Sequence, residues 1–288
     1  MNKKFYQIVK DYSYVLVDSY GVIKFADGLN QEALKVLREL RLMGKTIIML
    51  SNATFTDPDD RYGKKGVLKG YHYDAFITSG MYAQKDIRRG ELPLGSKYVV
   101  FGTANFKKPE EKVPSLFEGS SYEYVRYPQN ANFVYCGIPQ VQGEDRETMD
   151  DFIKELLFYI SLGLPLLCTN PDEIGQEDGR FVVRQGTIVK LYREFGGRVI
   201  LYGKPDPRIF DFALGAIPRD KVLMIGDTLG TDILGANRAG IKSCLTIAGG
   251  VTEKRMLDKG MKIDVESIDT FIKDSESGTP DFIIEKIF

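Results

Sequence analysis

Short apolar runs closed by turn residues recur along the chain at 14–17, 46–50, 75–77, 98–101, 131–136, 165–168, 199–202, 221–226 and 241–247. Runs of this length, bounded in this way, read as buried strands. Between them lie stretches with apolar residues at helical spacing. Leu34, Leu37 and Leu40 mark a helix expected over 30–43 and stopped by Gly44. Further helices are expected over 5–12, 81–89, 146–160, 185–195, from 207, over 233–240 and over 252–259, with an edge strand or terminal segment at 282–287. Because strand and helix alternate, neighbouring strands should run parallel and connect through right-handed crossovers.

At 288 residues the chain exceeds one average domain. Residues 1–80 and 184–288 carry one α/β set, a Rossmann-like doubly wound parallel sheet. Residues 81–183 have strands and a helix of their own and read as a second α/β unit inserted into the first.

Composition narrows the function mainly by exclusion. Lys and Arg number 39 against 40 Asp and Glu, so no charge-driven attraction to nucleic acid or to an anionic membrane is implied. Short basic pieces such as Lys107-Lys108 read as solvated surface. Cys136, Cys168 and Cys244 are odd in number and far apart in apolar surroundings, which suggests buried free thiols in a reducing compartment. The N-terminus lacks an apolar leader, and no run approaches the ~20 residues of a membrane span, so a soluble cytoplasmic protein is expected. His72, flanked by Tyr71 and Tyr73, reads as a loop or partly buried histidine. Gly226 and Gly249-Gly250 form neither a dinucleotide fingerprint nor a Walker loop.

Two acids stand out. The first apolar run ends on Asp18 and turns at Gly21, and the 221–226 run ends on Gly226-Asp227 with Asp232 close behind. Carboxylates at the C-terminal ends of parallel strands sit where open α/β sheets bind ligands, although an Asp there can also simply start a turn. Two such acids side by side repel unless a cation lies between them, and hard oxygen ligands with no nearby His or Cys favour magnesium.

Asp18-x-x-Gly21-Val22, Ser51-Asn52 after the 46–50 strand, Lys204, and Gly226-Asp227-x-x-x-x-Asp232 together resemble the four motifs of the haloacid dehalogenase superfamily. They come in the same order and span nearly the whole chain. Ile77-Thr78-Ser79-Gly80, Thr169-Asn170-Pro171-Asp172 and Gly203-Lys204-Pro205 are similar to class IIA members with a large C2-type cap, a class that includes nucleotide monophosphatases and 4-nitrophenylphosphatase-like proteins. The resemblance implies a Mg2+-dependent phosphatase of a small phosphorylated metabolite. In it Asp18 is the nucleophile that becomes an aspartyl-phosphate, and Mg2+ is held by Asp18, Asp227 and the backbone carbonyl of Tyr20. Asp232 acts through a bound water or as an orienting group at a helix start. Ser51 and Asn52 donate to phosphate oxygens, and Lys204 supplies positive charge. Asn170 and Asp172 either face the substrate or serve as turn residues. The inserted unit would close over the substrate with hinges near 80 and 184, and a cap of this size can carry a homodimer contact.

One position departs from the pattern. Most phosphatases of this superfamily carry a second Asp two residues after the nucleophile, working as general acid and base, and this chain has Tyr20 there. A positioned acid or base is worth roughly 10²–10⁴-fold in rate. With a phenol of ordinary pKa about 10, tyrosine is a poor base at neutral pH. Slow turnover is therefore one expectation. A phosphate-ligand or metal-binding protein with a sensing or assembly role is the other.

Overall fold

A parallel strand covered on both faces has to be apolar throughout, and Tyr14–Val17 meets that demand, with Val15, Leu16 and Val17 fully buried. The computed structural model describes residues 1–104, 113–141, 143–146, 148–177, 179–275 and 277–288, which leaves the Lys107-Lys108 pair outside the described residues. Tyr14–Val17 lies inside a six-stranded sheet. Parallel neighbours flank it: Val222–Gly226, with Val17 opposite Ile225, and Thr46–Ser51, with Val17 opposite Met49. Lys242–Thr246 and then Phe282–Ile284 extend the sheet on one side, and Ala75–Thr78 closes it on the other.

The first crossover shows how local chemistry sets these elements. Asn30 caps the helix Gln31–Leu42 by accepting from the amides of Glu32 and Ala33, and Ala33, Leu34, Val36, Leu37 and Leu40 form its buried stripe. Gly44, at φ +78°, then turns the chain into Thr46–Ser51.

The described chain divides into two compact units. Met1–Ser51, Asp57–Ile77 and Lys204–Phe288 form the first, and Asn52–Thr56 with Thr78–Gly203 form the second. The second unit has its own five-stranded parallel sheet, in the order Val199–Leu201, Leu166–Cys168, Phe133–Cys136, Lys97–Phe101, Glu123–Tyr124.

Several elements differ from the sequence expectation, the helix Val265–Asp274 among them. The 199–202 run, expected in the first unit, lies in the second: Val199–Leu201 pairs with Leu166–Cys168, and that unit continues to Gly203. An isolated apolar run does not state which of two parallel sheets it joins. The helix expected from 146 begins at Ile153, because Glu144–Asp145 pairs with Gln140–Val141 and a 3₁₀ turn, Asp150–Phe152, intervenes.

All three cysteines are buried and free. Burial pushes the Cys244 thiol up to about 12 and raises Cys136 as well, which makes both poor nucleophiles. Among the described residues no helix is long and apolar enough to cross a membrane.

Candidate active site

The register of the central sheet brings two distant carboxylates to one edge. Asp18 follows the Tyr14–Val17 strand and its amide donates to the Ile225 carbonyl at 2.9 Å, so it stands beside the end of the neighbouring strand, where Asp227 emerges. Asp232 joins them from the π-helical turn Leu229–Ile233. Oxygens of Asp18, Asp227 and Asp232 lie within 4.8 Å of one another, and all three residues are buried.

Lys204 sets the charge balance of this group. Its Nζ donates to Asp18 Oδ1 at 2.6 Å, to Asp232 Oδ1 at 2.6 Å and to the Leu50 carbonyl at 2.9 Å, and the residue is 1% exposed. A buried lysine is tolerable only with such partners, and two carboxylates plus a carbonyl use all three ammonium hydrogens. Leu50 precedes Ser51, the buried last residue of its strand, so the Lys204 contact also ties that strand end to Asp18.

Asp227 is clamped by its surroundings. Oδ1 accepts from Thr228 Oγ1 at 3.0 Å, Oδ2 accepts from the Val251 amide at 2.6 Å, and its carbonyl accepts from Thr252 Oγ1 at 2.6 Å. Asp232 Oδ2 accepts from the Thr228 amide at 3.1 Å, holding the turn after Asp227 in place. The crowding explains two glycines. A Cβ on Gly21, at φ +72°, would lie 2.2 Å from Asp227 Oδ2, and one on Gly250 would lie 2.6 Å from Asp227 Cβ. The Gly249-Gly250 pair before Val251-Thr252 is no cofactor motif but a signal of close backbone approach.

The turn after Asp18 is pinned at three points. The Ser19 carbonyl accepts from the amides of Ile23, at 3.1 Å, and Lys24, at 2.8 Å, and the Gly21 amide donates to the Lys24 carbonyl at 2.8 Å. Tyr20 is half-buried. Its hydroxyl accepts a hydrogen bond from Lys24 Nζ, which stands 4.0 Å from the centre of the Tyr20 ring. Ser19 Oγ is hydrogen-bonded to the hydroxyl of Tyr62, whose pKa is pushed up, first by burial and then by the nearby Tyr20 and Asp18, against a lowering by Ser19. Neither Lys24 nor Tyr62 stood out in the sequence.

In the second unit, Asn52 Nδ2 donates to Asp172 Oδ1 at 2.8 Å, and Asn170 Oδ1 accepts from the Asp172 amide at 3.0 Å, an Asx turn that aims Asp172 at Asn52. Asn52, Asn170 and Asp172 thus form one polar cluster within that unit.

The first-unit group suits a divalent cation. Three buried carboxylates face one ammonium, the donors are oxygens only, and an acceptor-only set of this hardness matches magnesium-like ions. A carboxylate held by an ammonium at a sheet edge is also placed to attack an electrophile.

Residues 201–274 match the HAD-hydrolase-like family model. The chain is 26% identical over 241 residues to the ribonucleotide monophosphatase NagD of Escherichia coli K12, covering 82% of this chain and 87% of that protein. It is 25% identical over 262 residues to human glycerol-3-phosphate phosphatase, covering 84% and 81%. The crystal structure of a haloacid dehalogenase-like hydrolase from Brucella suis superposes over 100% of both chains with a TM-score of 0.79 at 23% identity.

Proposed function

We propose that this member of the haloacid dehalogenase superfamily is a class IIA phosphatase that uses Asp18 to hydrolyse a small organic phosphate with Mg2+. The observation that carries the reading is the Lys204 ammonium held 2.6 Å from both Asp18 and Asp232, with Asp227 alongside and all four residues buried. Relatives named as phosphatases of a ribonucleotide and of glycerol 3-phosphate support the substrate class, a small phosphomonoester.

An Asp18 carboxylate oxygen forms a bond to phosphorus while the bond to the leaving oxygen breaks, and the departing alkoxide takes up a proton. Water then attacks the same phosphorus. The aspartyl oxygen leaves as carboxylate, and inorganic phosphate and a proton are released. Lys204 fixes the orientation of Asp18 and adds positive charge where phosphate oxygens gather, and Ser51 and the amides after it donate to them. Asn52, Asn170 and Asp172 are proposed to contact the rest of the substrate. Asp18, Asp227 and the Tyr20 carbonyl would hold Mg2+, with Asp232 behind them, and the ion would neutralise phosphate charge. A backbone carbonyl is available whatever the side chain, so Tyr20 leaves the cation site intact. A soluble cytoplasmic location and a homodimer formed through the second unit complete the proposal.

A second reading is favoured by Tyr20 itself. Its hydroxyl is engaged by Lys24, and no carboxylate occupies that position. On that reading the protein binds a phosphate ligand and barely turns it over. Phosphate release from a panel of small phosphomonoesters separates the two. The phosphatase reading expects release that requires Mg2+, stops with chelator and is absent in Asp18→Asn; a wild type silent across the panel, with tight binding of a phosphate ligand, would support the second.

A further inference from the structure

We infer that Tyr62 is a positioning residue for the nucleophile, acting through Ser19; the inference rests on the phosphatase reading for its kinetic part and on the fold alone for its structural part. Ser19 is wholly buried between Asp18 and Tyr20, and its Oγ is hydrogen-bonded to the hydroxyl of Tyr62. Its carbonyl carries the turn, accepting from Ile23 and Lys24. The side-chain bond to Tyr62 and the two amide bonds therefore grip the residue that follows Asp18 from different directions.

Tyr62 is well built for such a task. It sits on the short helix Pro58–Gly63, is 6% exposed, and its ring meets Phe76 edge-on at a centroid distance of 4.8 Å. Phe76 belongs to the edge strand Ala75–Thr78, so the hydroxyl is carried by an aromatic pair anchored to the sheet and has little freedom to move. Lys204 holds the Asp18 carboxylate from one side, and Tyr62 holds the backbone behind it. A shift of about 1 Å in an attacking group can cost on the order of 10²-fold in rate.

Removing the Tyr62 hydroxyl leaves Ser19 Oγ buried without that partner, so Tyr62→Phe loosens the turn. Replacing Ser19 by Ala as well removes the stranded group, so the double variant is expected to be no slower than Tyr62→Phe. Tyr192→Phe is the control: it deletes another buried tyrosine hydroxyl bond, to the Leu164 carbonyl in the second unit.

The test combines steady-state kinetics with amide hydrogen exchange. Tyr62→Phe is expected to lower kcat about ten- to a hundredfold with KM within about twofold, and to speed exchange at Ile23 and Lys24, while Tyr192→Phe changes neither. Unchanged exchange at Ile23 and Lys24, or a kcat within about twofold of wild type, overturns the inference. A wild type without Asp18-dependent turnover overturns the phosphatase reading and the kinetic role together, and the exchange rates then decide the structural grip separately.

Discussion

Lys204 Nζ lies 2.6 Å from Asp232 Oδ1, and the two side chains are 2% and 1% exposed, so the ammonium and carboxylate are a buried ion pair. Removing one member of a buried pair leaves the other without compensation, at a cost of about 3–5 kcal/mol. Lys204→Met should therefore lower unfolding free energy in urea by that amount and abolish phosphate release. A loss below about 1 kcal/mol would show that solvent reaches the pair more freely than its burial indicates.

The carboxylate group also sets a cation response. Mg2+ should raise the melting temperature, approaching about 2.7 kcal/mol of added stability at a hundredfold excess over Kd. Asp227→Asn should remove the response. Gly21→Ala should weaken it, because its Cβ would lie 2.2 Å from Asp227 Oδ2 on a backbone at φ +72°. Calorimetric titration of the three proteins measures this directly.

Restoring a carboxylate two residues after Asp18 tests the cost of the tyrosine. Tyr20→Asp is expected to raise kcat about 10²-fold, the lower end of what a positioned acid or base supplies, and the gain should vanish in the Asp18→Asn background. Equal rates for Tyr20→Asp and wild type would mean that another group already moves the proton.

The single histidine gives a pH signature in stability. Burial foremost, then the charge of Arg38, lowers the pKa of His72 below 6.5, and its Nδ1 accepts from the Leu68 amide at 3.0 Å, which requires the neutral ring. A depressed folded pKa means the unfolded chain takes up the proton first. The contribution is thus present above about pH 6.5 and is lost as pH falls through the folded value. The lone imidazole resonance should titrate below 6.5, and His72→Gln should flatten the loss of stability between about pH 7 and 5.

What the sequence disclosed follows from which interactions are local. The strand ends at Asp18 and Ser51 and the helix stop at Gly44 are short-range features, and apolar runs broken by turn residues reveal them. The partners that finish the site are long-range: Tyr62 reaches Ser19 across 43 positions and Val251 reaches Asp227 across 24. No periodicity encodes such pairs. The same reason hid which sheet the strand Val199–Leu201 joins, since its three apolar residues suit either until pairing with Leu166–Cys168 decides.

The proposed chemistry turns on whether Asp18 takes up a phosphoryl group. Rapid acid quenching during turnover, followed by mass spectrometry of the peptide containing Asp18, measures it. One added phosphoryl group is expected on that peptide, located at Asp18 and missing from Asp18→Asn. Phosphate release at full rate with the peptide unmodified, or with the group on another residue, would contradict it.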